Sequence, residues 1–333
     1  MSEAYRSVGG RLKRRSMSIG GLFLTTVLLT VLLPLWLPVT LVADVVRGRR
    51  RVPMARLLGF GFCYAWVESV AVMRTCWLWI TGRGSNVAAN YELMGWWAGI
   101  LMRSLRATTG IAPQIEGLDA IERGNAIMLS RHASLADSLV SGWVTRTVAG
   151  VQPRYVLKRE LLFDPCLDIV GLRTPNHFID RAAVDGDLEL DALRDLASGV
   201  GPGVISVIFA EGTRANDRKR ARALEKIAER DPQRAEKLGG LRRLLPPRPA
   251  GSTALIEGAP GADVVLAWHT GFDGLDTFGG MISKLSKPLP PVRFVMRRVP
   301  RSEVPEGDGF AAWLDDQWLR MDAEVDEALT AGV

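Results

Sequence analysis

A histidine and an aspartate five positions apart are the residues of this chain best suited to proton transfer. His132 and Asp137 follow a short apolar run, Ala126 to Leu129. A neutral imidazole accepts a proton from a hydroxyl near neutral pH, and a carboxylate on its other nitrogen fixes the tautomer and stabilises the imidazolium. The pair supplies two-thirds of a hydrolase triad without the nucleophile. If the hydroxyl belongs to the substrate, the chemistry becomes direct acyl transfer to an alcohol.

The spacing of this pair constrains the local structure. Residues five apart on an ideal helix point about 140° away from each other, so the pair can meet only if His132 lies in a turn and Asp137 in the following helix. Leu139, Val140 and Trp143 continue an apolar pattern after the pair. The pattern therefore predicts a strand, a turn and a helix. Taken alone, this spacing is more often accidental than catalytic.

A second polar block follows another apolar run. The β-like stretch Gly203 to Ile208 leads into Phe209 to Arg214. Four side chains of different chemistry emerge together at this strand end: Glu211, Gly212, Thr213 and Arg214. The planar fork of an arginine suits a phosphate, and a glycine allows close backbone approach. The block predicts a site for a phosphate-bearing ligand.

Two further charged positions lie between these blocks. Lys158 follows an apolar segment, and Arg181 closes the run Phe178 to Arg181. Taken singly, each of these residues is more simply interpreted as a solvated charge beside a core strand than as a binding residue.

Together and in this order, the blocks resemble those of the glycerolipid acyltransferase family that carries the histidine-x4-aspartate motif. The resemblance covers roughly Ile111 to Val304. It implies that His132 is the general base for the acceptor hydroxyl and that Asp137 supports it. It also places Glu211, Gly212 and Thr213 in the substrate site.

The same resemblance implies how the acceptor is held. Arg214 is expected to meet the acceptor phosphate, with Lys158 and Arg181 as further binding residues. Ala210 stands where family members usually have proline. Leu245 to Gly251 resembles the proline-arginine block of the branch that includes lysophosphatidate and lysocardiolipin acyltransferases.

The activity implied is transfer of a fatty acyl group from acyl-CoA to a hydroxyl of a lysophospholipid such as lysophosphatidic acid, forming a diacyl phospholipid. Acyl-CoA enters as a co-substrate, and no other cofactor is expected. Three alternatives stay open: transacylation between phospholipids without coenzyme A, acylation of a glycolipid headgroup, and a lipid-binding protein without activity. The oligomeric state is not predicted.

The longest apolar stretch of the chain lies in its N-terminal region. Ile19 to Val46 is nearly free of charge and long enough to cross about 30 Å of hydrocarbon. Arginines and lysines flank it on both sides, so the positive-inside rule favours neither orientation. Pro34 and Pro38 would kink a helix here, which favours a re-entrant hairpin with both flanks in the cytoplasm.

Two further apolar stretches follow. Leu57 to Thr81 contains Glu68 and Arg74, which are costly at a bilayer centre, so we expect it to be interfacial or packed against the first stretch. Asn90 to Thr108 fits an amphipathic helix at a membrane or an ordinary core helix equally well. We predict membrane-anchoring helices over residues 1–82, with the catalytic domain, residues 83–333, facing the cytoplasm.

The charge and apolar content of the chain indicate which classes of partner it binds. The net charge of +6 and the apolar fraction of 47% occur without a zinc-finger, RNA-binding or helix-turn-helix pattern. Anionic lipid headgroups explain the positive charge better than nucleic acid does. Three scattered cysteines predict buried thiols without disulfides. His177 and His269 lack metal-like neighbours, so no metal site is predicted, and each is expected to be a core or supporting residue.

Alternating strands and helices predict the fold class: an α/β domain with a mixed sheet flanked by helices, behind an N-terminal membrane-anchoring helical segment. The candidate strands are Ile111 to Glu116, Ala126 to Ser130, Arg154 to Leu157, His177 to Ile179, Gly203 to Phe209, Asp263 to Trp268 and Val292 to Arg297. The site is expected to gather at their ends.

Overall fold

The computed structural model describes residues 8–134, 136–179, 186–273, 275, 277–307 and 309–331. Seven strands within these residues form one sheet in the order β1-β7-β6-β2-β5-β3-β4. The strands are β1 (Pro113–Glu116), β2 (Ala126–Ser130), β3 (Gln152–Lys158), β4 (His177–Ile179), β5 (Val204–Phe209), β6 (Asp263–Thr270) and β7 (Val292–Val299). The predicted mixed α/β sheet is confirmed, and each strand lies where the sequence predicted it.

The direction of the strands decides where their ends meet. β2 pairs in parallel with both β5 and β6, β5 pairs in parallel with β3, and β3 pairs in parallel with β4. β7 runs antiparallel to β6. The register sets Ser130 opposite Phe209 on one side and opposite Ala267 on the other. The segments that follow β2, β3, β4, β5 and β6 therefore leave the sheet along one edge.

Helices cover both faces of the sheet. They are α5 (Asp119–Glu122), α6 (Asp137–Gly142), α7 (Pro165–Ile169), α8 (Gly186–Ser198), α9 (Asp217–Ala228), α10 (Pro232–Leu238), α11 (Pro249–Gly258), α12 (Phe278–Leu285) and α13 (Gly309–Thr330). Every residue of β2 is buried, as expected for a central parallel strand with both faces covered. Ile127 and Leu129 face a core that includes Trp318 of α13, and Met128 faces the opposite core with Val140 of α6.

Four helices precede the sheet: α1 (Val8–Val31), α2 (Leu33–Val46), α3 (Pro53–Ile80) and α4 (Val87–Thr109). α1 and α2 are bent by 71° relative to each other. Pro34 lies in the first turn of α2, where a missing backbone donor is tolerated, and the chain bends at Leu32, the N-cap residue between the two helices. Asp44 accepts hydrogen bonds from the backbone N–H groups of Met54, at 2.8 Å, and Ala55, so this buried carboxylate caps α3.

The charges of α3 are accommodated by neighbouring side chains. Glu68 accepts a hydrogen bond of 2.5 Å from the indole of Trp97, and the Arg74 guanidinium lies 4.1 Å from the ring centre of Trp96. Thr26 of α1 and Ser69 of α3 are joined by a hydrogen bond of 2.9 Å. The predicted packing of this second apolar stretch against the first is confirmed.

Length and composition allow α3 to cross a membrane, and the bent pair of α1 and α2 fits a broken span or a re-entrant loop. Exposed apolar side chains cover α2, among them Leu35, Val39, Val42, Val45 and Val46. These features suggest membrane association. The boundary between residues 82 and 83 stays a prediction.

The burial of side chains tests two predictions, one on the role of α4 and one on the cysteines. Tyr91 and Leu101 of α4 are buried, and the Tyr91 hydroxyl donates to the carbonyl of Pro153, so α4 is a core helix. The cysteines are free, but they are not all buried thiols. Cys166 is buried, Cys63 is half-buried and Cys76 is exposed near the end of α3, so the prediction is wrong for Cys76.

An ion pair fastens the first helix to the sheet domain. Arg14 of α1 donates from Nε and Nη2 to the two carboxylate oxygens of Asp168, at 3.0 and 2.8 Å. Asp168 is fully buried in α7, and the Arg14 side chain is only 7% exposed. Arg15 adds a longer contact of 3.3 Å to the same carboxylate.

Candidate active site

The predicted strand, turn and helix form around the histidine-aspartate pair. β2 ends at Ser130 and α6 begins at Asp137, so His132 lies in the connection. His132 Nδ1 lies 2.8 Å from Asp137 Oδ2. With Nδ1–H donating to the carboxylate, Nε2 carries the lone pair that can accept a proton. The His132 side chain is 14% exposed, whereas that of Asp137 is 1% exposed.

Asp137 is held by the turn that it closes. Its oxygens accept hydrogen bonds from the backbone N–H groups of Ala133, at 2.6 Å, and Ser134, at 2.9 and 3.0 Å, and from the Ser134 hydroxyl. Burial by itself raises the pKa of this carboxyl group. The imidazoles of His269 and His132 outweigh burial and hold the pKa of Asp137 well below its usual range. Asp137 is therefore a fixed carboxylate at neutral pH.

Glu211 joins the two motif loops. Its Oε1 accepts from the backbone N–H of His132 at 2.8 Å, and its Oε2 accepts from that of Leu245 at 2.9 Å. The residue is 1% exposed. Burial raises the pKa of Glu211 to about 8, although the two N–H donors and the charge of Arg131 act in the opposite direction. Both carboxylate oxygens are occupied by the chain, so the geometry makes Glu211 a positioning group.

Backbone contacts complete this junction. The N–H of Ala215 donates to the carbonyl of His132 at 2.8 Å, and the N–H of Arg248 donates to the carbonyl of Ala210 at 2.9 Å. Gly212 has a φ of 70°, a conformation that side chains rarely adopt, and its N–H donates back to Phe209. The proline-arginine block therefore lies against the glutamate-glycine loop, which in turn lies against His132.

Phe209 borders the imidazole itself. Its ring centre lies 4.8 Å from that of His132, with 33° between the ring planes. Ser130 and Phe209 are opposite each other in the register of β2 and β5, so the sheet sets this contact. The phenyl ring limits the rotation of His132 away from Asp137.

Arg214 has binding capacity that the chain does not use. Its side chain is half-buried, and among the described residues its buried Nη1 has no hydrogen-bond partner. A buried donor without a partner costs about 1 to 3 kcal/mol, which an anionic ligand would offset. The carbonyl of Arg214 accepts from Lys219 Nζ at 3.0 Å, and the same Nζ lies 3.2 Å from the Thr213 hydroxyl.

Lys219 is a site residue that sequence reasoning missed. It lies on α9, in the charged run that follows Arg214. The structure gives a solvated helix, since no residue of α9 is buried. The signal was the position of Lys219 in the first turn of the helix that follows the glutamate-glycine block.

The remaining predicted residues are placed as follows. Lys158 ends β3 at the same sheet edge as His132 and Arg214, because β3 and β5 run in parallel. Arg181, with the rest of residues 180–185, lies outside the described residues. The structure thus brings together His132, Asp137, Glu211, Gly212, Thr213 and Arg214, and it places Lys158 at their edge of the sheet.

A second histidine faces the aspartate. His269 lies near the end of β6, and its Nε2 is 3.1 Å from Asp137 Oδ1. Sequence reasoning expected a core or supporting residue here and did not link it to Asp137. The signal that could have found it is an imidazole inside the apolar run of β6, a strand that adjoins β2.

An apolar cavity of about 450 Å³ lies beside the site. Ala136 and Leu139, which flank Asp137 in the chain, belong to its wall. The rest of the wall comes from the sheet domain and from α3 and α4, and it includes Leu57, Phe60, Trp97, Ala98, Leu101, Leu157, Leu161 and Met281. Apolar walls with few polar groups suit a hydrocarbon chain. In the described part of the chain, no group of three or more metal-ligating side chains is present.

Comparison with known proteins identifies two similarities. The model of the acyltransferase family matches residues 112–248, a segment that contains both motif loops. The crystal structure of the 1-acyl-sn-glycerophosphate acyltransferase PlsC from Thermotoga maritima is similar in fold, with a TM-score of 0.52 and 14% sequence identity. The similarity covers 82% of this chain and 97% of that one. No curated protein matches the chain.

Proposed function

We propose, from the match of residues 112–248 to the acyltransferase family model, that the protein is a membrane-bound acyl-CoA:lysophospholipid O-acyltransferase. The acceptor we propose is a lysophospholipid such as lysophosphatidic acid, and the product is a diacyl phospholipid. The observation that carries the proposal is the His132–Asp137 pair of 2.8 Å. Ala136, beside Asp137 in the chain, lines the apolar cavity, and Arg214, in the loop that contacts the His132 backbone, has a buried Nη1 without a partner among the described residues.

The proposed reaction uses the accessible nitrogen of His132. Nε2 takes the proton from the acceptor hydroxyl, and the oxygen attacks the carbonyl carbon of the thioester. A carbon–oxygen bond forms and the carbon–sulfur bond breaks. The thiolate of coenzyme A takes the proton from the imidazolium, which regenerates neutral His132. Asp137 stays ionised throughout and stabilises the imidazolium.

The acceptor and donor are assigned to different sides of His132. Arg214, Lys158 and Arg181 are proposed to hold the acceptor phosphate, and this role is supported by the Nη1 of Arg214, which has no partner within the described ranges of the chain. The apolar cavity is proposed to hold the acyl chain of the donor, because its wall flanks Asp137. Glu211, Gly212 and Thr213 shape the loop that carries Arg214. No metal or cofactor enters the reaction as proposed.

The helices α1 to α3 are proposed to hold the protein at the membrane, with the bent pair α1 and α2 re-entrant and the catalytic domain in the cytoplasm. Single cysteines replacing Arg11 and Arg50, in a chain whose own cysteines are serines, test this topology in sealed vesicles. Labelling of both positions from the cytoplasmic side is expected. Labelling from opposite sides would show a spanning segment instead.

The substrate assignment is tested by incubating the purified protein with a panel of lysolipids and labelled acyl-CoA, followed by mass identification of the products. A diacyl phospholipid is expected, and His132→Ala should remove it. The control is His177→Asn. His177 is the first residue of the short strand β4, whereas the site lies beyond the last residues of the parallel strands. Product formed without added acyl-CoA would identify a transacylase and overturn the proposed donor.

A further inference from the structure

We propose that His269 is a positioning residue for the reaction. It holds Asp137 on the side opposite His132, and through Asp137 it fixes the imidazole that takes the proton. This inference rests on the proposed function, because the effect is expressed in the step that His132 performs.

The geometry assigns one imidazole to each carboxylate oxygen. His132 Nδ1 lies 2.8 Å from Oδ2 of Asp137, and His269 Nε2 lies 3.1 Å from Oδ1. The side chains of His269 and Asp137 are each 1% exposed, whereas His132 reaches the surface of the site. His269 therefore cannot touch the substrate, and any influence on the reaction passes through Asp137.

The ring of His269 is fixed on several sides. The ring of Phe294 is nearly parallel to it at 6.3 Å, and that of Phe272 meets it edge-on at 5.5 Å. The backbone carbonyl of His269 accepts from Arg131 Nη1, and Nη2 of the same arginine donates to Asp273 at 2.6 Å. Arg131 directly precedes His132, so the backbone segments that carry the two histidines are tied together.

The chemistry of the ring argues for more than packing. The rings of Phe272 and Phe294 form an apolar cage around His269. Burying an imidazole in such surroundings costs free energy unless a polar contact offsets the loss of hydration. Among the described residues, neither ring nitrogen of His269 makes a hydrogen bond of good geometry, and the carboxylate oxygen that Nε2 faces, at 3.1 Å, is Asp137 Oδ1. The electrostatic contact with Asp137 is thus the interaction that offsets the burial of this ring.

The consequence concerns rotation of the carboxylate group. Asp137 Oδ1 meets Ser134 and His269 while Oδ2 meets His132 and Ala133, so turning the group about its terminal bond would break contacts on both sides. With His269 removed, Oδ1 is held by Ser134 alone. We expect Oδ2 then to hold Nδ1–H less tightly, so that His132 samples the wrong tautomer more often.

The test compares two substitutions. His269→Met fills the cage without an N–H donor, and His269→Gln keeps an N–H donor at the reach of Nε2. We expect the Met variant to lower kcat by about 10- to 100-fold with KM unchanged. This is the range found when a residue that orients a metal-ligating side chain through a hydrogen bond is replaced. Gln should recover most of that loss. Equal losses in both variants, or a better Met variant, would reduce His269 to a packing residue and overturn the inference.

Two further measurements keep the result decisive. In an Asp137→Asn background His269→Met should cause no additional loss of kcat, whereas additive losses would contradict action through Asp137. Val264→Ala removes buried volume from the same strand as His269, on the sheet face opposite Phe272 and Phe294, and keeps the imidazole, so it should lower the melting temperature without lowering kcat.

Nitrogen NMR of the His132 ring separates this inference from the proposed function. Nδ1 should stay protonated in the wild type and in His269→Gln, and the tautomers should mix in His269→Met. If the wild type acylates no lipid, the proposed function fails, and the NMR comparison still decides whether His269 orients the pair. Identical His132 spectra in all three proteins would overturn the inference.

Discussion

Two buried carboxyl groups of opposite character organise the site at the scale of single residues. Asp137 faces two imidazoles, which hold its pKa well below the usual range against the effect of burial. Glu211 faces backbone N–H groups, which do not outweigh burial, so its pKa is raised. The first group is proposed to support His132 as the proton acceptor, and the second connects two loops.

The raised pKa of Glu211 predicts a pH-dependent stability. In the folded state the pKa is about 8 against an ordinary value of 4.5, so the folded protein holds a proton that the unfolded chain releases in this interval. The contribution of this group is fully present below pH 4.5 and is lost as pH rises through 8. The free energy of unfolding should fall by up to about 1.4 kcal/mol per pH unit between these values.

Glu211→Gln should remove this slope, although it costs stability at low pH because the amide NH2 faces a backbone N–H. Denaturant unfolding from pH 5 to 8 measures the difference between the two proteins. The exposed control Glu225→Gln on α9 should leave the slope in place. Parallel curves for the wild type and Glu211→Gln would contradict the assignment.

Arg214 predicts a defect that depends on the acceptor. Arg214→Ala should raise KM for lysophosphatidic acid by about 10- to 100-fold, because a charge-assisted hydrogen bond contributes about 1.5 to 3 kcal/mol. The KM for a neutral monoacylglycerol should stay unchanged. Steady-state kinetics with both acceptors checks this, with the exposed Arg222→Ala as control. Equal losses for both acceptors would mean that Arg214 does not meet the phosphate.

The sequence predicted those site residues that directly follow a strand. His132, Asp137, Glu211 and Arg214 each lie within a few residues of an apolar run, where polar groups leave the sheet. His269 lies inside such a run, and its meeting with Asp137 depends on the lateral order of β6 and β2. Strand order is a long-range property, and no local pattern encodes it.

At the scale of elements, the anchor of α1 on α7 is the contact most sensitive to a single change. Asp168→Asn keeps the size of the side chain but removes the carboxylate charge that the buried guanidinium of Arg14 contacts at 2.8 Å. Removing one partner of a buried pair costs about 3 to 5 kcal/mol. We expect α1 to detach, seen as new proteolytic cleavage within α1, whereas the exposed Asp217→Asn should cleave like the wild type. Unchanged cleavage in Asp168→Asn would show that the pair does not hold the helix.

The wall of the cavity predicts control over acyl chain length. Ala98 of α4 is fully buried and lines the cavity, so Ala98→Phe should fill part of it. Each methylene kept out of the cavity loses about 0.8 kcal/mol of burial. Competition between acyl-CoA donors of different length should shift toward short chains. The control Ala107→Phe lies on the exposed face of the same helix. An unchanged preference would place the acyl chain elsewhere.

The elements differ in how well the sequence predicts them. The strands were predicted because long apolar β-like runs in an alternating order have few other solutions. The bend before Pro34 followed from proline stereochemistry. The role of α4 was not predictable, because the amphipathic pattern of Asn90 to Thr108 is the same for a helix on a membrane and for one on a sheet. The contact of Tyr91 with Pro153 decides between them.

At the scale of the whole molecule, the N-terminal helices and the sheet domain share one cavity. α3 and α4 supply part of its wall, and the helix that begins at Asp137 supplies another part. An acyl chain in the cavity would therefore contact α3, which is proposed to anchor the protein, and the helix that begins at Asp137. The positive charge of the chain, +6, suits a surface of anionic lipid.

The most direct test of the account measures acyl transfer by wild type and His132→Ala in vesicles that contain lysophosphatidic acid, with labelled acyl-CoA as donor. General-base assistance is worth about 10² to 10⁴ in rate, so the variant should lose at least about 100-fold in kcat while its binding to the vesicles stays unchanged. Wild-type rates in His132→Ala would contradict the central claim that this imidazole takes the proton from the acceptor hydroxyl.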